Sequence, residues 1–84
     1  MDSPTILTRL GSALQQARQH RGLTQGQVAG RAGITRQKVL QVEAGAGTVG
    51  AAYYAKVAGA MGLEFSLTPA RRPTLDELPS MDLG

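Results

Sequence analysis

Residues 35–38 read Thr-Arg-Gln-Lys, four hydrogen-bonding side chains in succession. Arg brings five N–H donors in a planar fork, Gln an acceptor beside a donor, Lys three donors on a flexible stem, and Thr a hydroxyl that both donates and accepts. Such a set recognises a surface by hydrogen bonding; it does not make or break covalent bonds. Bond-making chemistry has no other support in the chain. There is no cysteine, which removes disulfides, thiolate metal ligands and thiol nucleophiles together, and the single histidine, His20, assembles neither a metal site nor a histidine-based triad. The residues therefore predict a binding protein and not an enzyme, with no catalytic residues, no metal and no cofactor.

The elements that must position Thr35 to Lys38 are legible from periodicity and punctuation. Ser3-Pro4 reads as a helix entrance, and Ile6, Leu10, Ala13, Leu14 and Ala17 follow at helical spacing until Gly22. Thr24 opens a capping box with Gln27, and Val28, Ala29 and Ala32 give a second helix its inner face. Gly33 supplies the left-handed residue that stops it. Thr35 is then a cap for a third helix, with Val39 and Val42 inward and Gly45 as its stop. From about Ala51 to Met61 a fourth helix can bury Tyr54, Ala55, Ala58 and Met61, which turns the neighbouring Tyr53 elsewhere, toward a phosphate or toward solvent. After it the period drops to two at Leu63, Phe65 and Leu67, the signature of a strand that Pro69 ends. A lone strand in a helical chain needs a partner for its amides, and a second copy supplies one, with Phe65 and Leu67 on the shared face.

Eighty-four residues suit one domain with a modest core. The net charge of +3 understates an asymmetry: between residues 5 and 63 seven basic side chains face one acid, Glu43, whereas the stretch after Arg72 carries Asp76, Glu77 and Asp82 and no base. A basic body with an acidic tail points to a polyanionic partner. The acidic second residue and the lack of any apolar run of about 18 residues predict a soluble, cytoplasmic protein with no membrane association.

Two short helices joined at a glycine form a helix-turn-helix, whose second helix projects its first turn into the DNA major groove. That explains the crowding at residues 35–38. Arg pairs with guanine O6 and N7 and Gln with adenine N6 and N7. Gln25, at the amide-rich start of the second helix, would meet a phosphate.

At these residues the chain resembles the XRE, or Cro/phage-repressor-like, helix-turn-helix family. The shared pattern is RQHRGLTQGQVAGRAGITRQKVLQVEAG, and the similarity runs from about Leu10 to Leu63. The resemblance implies an all-α, lambda-repressor-like domain of four to five helices that binds a palindromic operator in double-stranded DNA as a homodimer. It places the base-contacting positions on Arg36, Gln37, Lys38 and Gln41 and the phosphate-contacting positions on Gln25 and Thr35. It also pairs Arg18 with Glu43 in a buried structural ion pair. The ending, KVAGAMGLEFSLTP, is similar to that of HipB-type antitoxins, in which a strand pairing across the dimer precedes a flexible tail. The implied organisation is a DNA-binding domain over 1–63, a dimerisation strand over 64–69 and a flexible tail over 70–84. Two positions depart from the family pattern: Leu40 replaces a polar residue on the exposed face of the third helix, and the loop from Ala44 to Gly50 lacks Lys and Arg.

The expected function is sequence-specific transcriptional repression, as the antitoxin of a toxin–antitoxin operon that autoregulates its promoter and binds a co-encoded toxin. Two alternatives stay open: a stand-alone XRE regulator without a toxin, and a protein-interaction adaptor that does not bind DNA. The charge of Arg36 and Lys38 argues against the adaptor.

Overall fold

A computed structural model describes residues 2–67 and Pro69. Four helices follow one another: α1, Ser3–His20; α2, Gln25–Ala32; α3, Arg36–Glu43; and α4, Ala51–Ala60. The remaining residues, with the whole of the tail expected at 70–84, lie outside the described part of the chain.

The first helix is capped one residue earlier than Ser3. Asp2 is the cap and accepts a 3.0 Å bond from the Thr5 amide, with Pro4 inside the first turn. Hydrogen bonding from Thr5, side chain and then amide, holds the Asp2 carboxyl below its ordinary range. Its capping contribution is therefore present above the usual carboxylate pKa and lost as pH falls through the lowered value. The inner face also differs from the expected one. Leu7, Leu10, Leu14 and Ala17 pack on the core, whereas Ile6 is 49% exposed and Ala13 faces solvent.

Gly11 explains that rotation. A Cβ there would lie 2.5 Å from the Val42 carbonyl oxygen and 2.7 Å from that of Glu43, and one on Gly45 would lie 2.7 Å from the Thr8 Cα. Helix α1 therefore crosses the end of α3 backbone against backbone, and the side of α1 carrying Gly11 must face inward. Gly45, at φ +73°, also takes the left-handed turn that releases the chain from α3.

The two central helices form as local chemistry dictates. Thr24 accepts from the Gln27 amide at 3.0 Å while the Gln27 side chain accepts from the Thr24 amide at 2.8 Å. Gly33, at φ +71°, ends α2, and Thr35 caps α3 by accepting from the Lys38 amide at 3.2 Å. Val28, Val39, Val42 and Val57 are fully buried where the helices meet, each contributing about 1.5–3 kcal/mol by apolar burial.

Helix α4 and its cap Met61 bury Tyr54, Val57, Ala58 and Met61, a spacing of three, four and seven; Ala55 is exposed, contrary to expectation, and Val57 takes its place. The Tyr54 hydroxyl donates to the Ala46 carbonyl at 3.0 Å and pins the α3–α4 loop, and burial pushes its pKa up. Beyond Leu63, residues 64–67 carry no regular element, and among the described residues there is no strand. A strand that pairs only with a second copy has no ladder within one chain. Phe65 is 45% exposed and Leu67 99% exposed.

Candidate nucleic-acid interface

Glu43 is where the helices of the turn are tied to α1. Arg18 Nε donates to Glu43 Oε2 at 2.6 Å and Arg18 Nη2 to Oε1 at 3.2 Å, while Nη1 reaches the Leu23 carbonyl at 2.9 Å. The two side chains are 11% and 3% exposed. Gln25 Nε2 adds a 3.0 Å bond to Glu43 Oε1. One carboxylate thus joins α1, the start of α2 and the end of α3, and Arg18 ties in the turn after α1. The relative orientation of the two helices of the turn is fixed by charge-assisted hydrogen bonds as well as by apolar packing.

Gln25, expected to meet a phosphate, therefore spends its amide on Glu43. It still lines a cleft at the start of α2, shared with Arg18, Leu23, Thr24, Gly26 and Arg36. The Arg18 guanidinium here is engaged by Glu43, but Arg36 and the first turn of α2 also border the cleft, a suitable surrounding for an anionic oxygen.

On α3, Thr35, Arg36 and Gln37 are exposed, as a surface that meets a partner requires. Lys38 is half-buried. Its ammonium lies 5.1 Å from the centroid of the Tyr53 ring on α4, and Lys56 Nζ lies 5.5 Å from the same centroid. Gln41 is also half-buried, and its Oε1 is enclosed with no hydrogen-bond partner. An enclosed oxygen left unpaired costs about 1–3 kcal/mol. Leu40, 40% exposed, stands on the solvent side of α3.

The structure thus brings Thr35, Arg36 and Gln37 together on one open turn, with Gln25 and Arg36 at a common cleft, and directs Lys38 toward α4. Phe65 and Leu67 lie apart from this surface in sequence, beyond α4. The partnership of Tyr53 with Lys38 and Lys56 escapes a reading of the sequence. Part of its signal is local, because Lys56 follows Tyr53 by one helical turn. Among the described residues no group of three metal-ligating side chains occurs, and no helix is long and apolar enough to cross a membrane.

Comparison with known proteins gives one assignment. A family model described as "Helix-turn-helix domain" matches residues 9–70. No curated protein matches the chain, and neither does any solved structure. The matched span takes in most of α1 and all of α2, α3 and α4, well over half of the sequence, and the α2–Gly33–α3 corner at its centre has the geometry this description names: the chain belongs to the helix-turn-helix domain family.

Proposed function

We propose that the protein is a sequence-specific DNA-binding transcriptional repressor that grips a palindromic operator as a homodimer. The observation that carries this reading is the exposed first turn of α3, Thr35 to Gln37, on a helix whose far end is fixed by the Arg18–Glu43 pair. A recognition helix needs both features: side chains free to meet base edges, and a support that does not yield when they do. In this reading Arg36 and Gln37 read bases, Gln41 reaches one from deeper along α3, and Thr35, with the cleft beside Gln25, meets the backbone.

The dimer is supported by Phe65 and Leu67, two exposed apolar side chains just past α4 that a second copy would cover by strand pairing. Selection of duplexes from a random pool by the wild-type protein tests the function. The expected product is a two-fold symmetric site with half-sites about 34 Å apart. No enrichment over the starting pool, with no salt-dependent binding to any duplex, would leave the adaptor reading in its place.

An antitoxin role is a narrower form of the same proposal. It rests on the likeness of the ending to HipB-type antitoxins and on residues 73–84, which carry three acids, no base and the apolar Leu75, Leu78, Met81 and Leu83. Such a segment is repelled by DNA and offers anchors to a protein surface.

A further inference from the structure

We propose that Lys38 and Lys56, both held on the ring of Tyr53, form a phosphate clamp that grips the DNA backbone beside the recognition helix, so that Lys38 contributes affinity and not base readout. The clamp rests on the DNA-binding reading above and assigns a role within it.

Three observations carry it. First, Lys38 is directed away from the open turn. Successive residues of a helix are about 100° apart, so Lys38 leaves α3 on a different side from Arg36, two residues before it. Arg36 borders the cleft at the start of α2, whereas Lys38 lies over a ring on α4. A helix about 10–12 Å across fills a major groove about 12 Å wide, so a side chain leaving its flank meets the wall of the groove, which is phosphate, and not the floor.

Second, two ammonium groups share one ring, at 5.1 and 5.5 Å from its centroid. Each is attracted by the negative face of the ring, but the two repel each other. The Arg18–Glu43 contact is the only ion pair among the described residues, so neither lysine has a carboxylate partner there. Glu43 is already engaged by Arg18 and Gln25. A phosphate oxygen beside either ammonium meets a cation for which no carboxylate among the described residues competes, and a compact ammonium suits such an oxygen as a point charge.

Third, the clamp supplies what the α3–α4 loop lacks. Residues 44–50 contain no Lys or Arg, the place where a basic loop would grip the backbone. Lys56 lies one turn into α4 past that loop. Tyr53 is half-buried on α4, and the attraction of its ring for both ammonium groups narrows the positions they take before DNA arrives, which lowers the ordering cost of binding.

The test measures binding of the full chain to two probes, a duplex enriched from a random pool by the wild-type protein and a scrambled duplex of the same composition, across a salt series. For Lys38→Gln and for Lys56→Gln the slope of log K against log salt should shrink by about 1 on both duplexes. Affinity at about 0.1 M salt should drop roughly tenfold on each, leaving the ratio between them within twofold of wild type. Tyr53→Phe keeps the ring and should titrate like wild type, whereas Tyr53→Leu should lose part of the slope. A Lys38→Gln variant with an unchanged slope and a collapsed ratio between duplexes would make Lys38 a base reader and overturn the clamp. Wild-type slopes for both lysine variants would overturn it too, while leaving DNA binding itself intact. Absence of salt-dependent binding by the wild-type protein would instead remove the DNA-binding reading, and the clamp with it.

Discussion

Arg18 in α1 and Glu43 at the end of α3 are bound through two hydrogen bonds, at 2.6 and 3.2 Å. Glu43 is the only buried charged residue among those described, and Gln25 completes its shell. Removal of one partner strands the other. Glu43→Ala or Arg18→Ala should destabilise the fold by about 3–5 kcal/mol, and replacing both with apolar residues of similar size should recover most of that loss. Thermal or denaturant unfolding reads the effect. A single variant within about 1 kcal/mol of wild type would mean that the pair is solvated and does not brace α3.

The glycines give a prediction of opposite signs. Gly30 and Gly59 lie inside helices with open space where a Cβ would stand, so Gly30→Ala and Gly59→Ala should each stabilise by roughly 0.5–1 kcal/mol. Gly11 is also helical, yet a Cβ there would press on backbone oxygens of α3 that no rotamer change can move. Gly11→Ala should therefore destabilise, by about 1–3 kcal/mol or more. Equal gains at all three positions, measured by unfolding, would show that α1 does not cross α3 at Gly11.

The helix-turn-helix itself is legible because its signals are local. Thr24 with Gln27, Gly33 and Thr35 each dictate a cap or a stop within four residues, and the structure has all of them where the sequence puts them. The face of α1 is a different matter. Ile6 and Leu7 are adjacent and both apolar, so periodicity admits two phases, and the residue that chooses between them is Gly11, which has no side chain to register in any hydrophobic pattern. The same ambiguity places Ala55 inward when Val57 is the residue that packs. At the site, Arg36 and Gln37 are recognisable from type and position. The turn of Lys38 toward Tyr53 is not, because it depends on where α4 lies relative to α3. The Arg18–Glu43 contact spans 25 residues, and only likeness to a family anticipates it.

Assembly has its own test. If Phe65 and Leu67 lie on a strand shared between subunits, replacing both with Ser should dissociate the dimer and weaken operator binding, since two half-sites are no longer gripped together. Sedimentation at low micromolar concentration measures the first effect. A fully dimeric double variant would place the interface on the helices.

Deletion of residues 73–84 separates an antitoxin from a plain repressor. Loss of three acids should leave operator binding unchanged or slightly tighter. Co-expressed with the product of the neighbouring reading frame, the truncated protein should allow toxicity to return while still repressing the promoter. Normal growth with repression intact would make the segment a passive extension.

The central claim, that the first turn of α3 reads base sequence, is tested most directly by titrating Arg36→Ala against a duplex selected by the wild-type protein and against its scrambled counterpart at one fixed salt concentration. The predicted result is a loss of about 1–3 kcal/mol on the selected duplex and little change on the scrambled one, because a base contact is lost and general attraction remains. Equal losses on the two duplexes would contradict it and reduce Arg36 to a backbone contact.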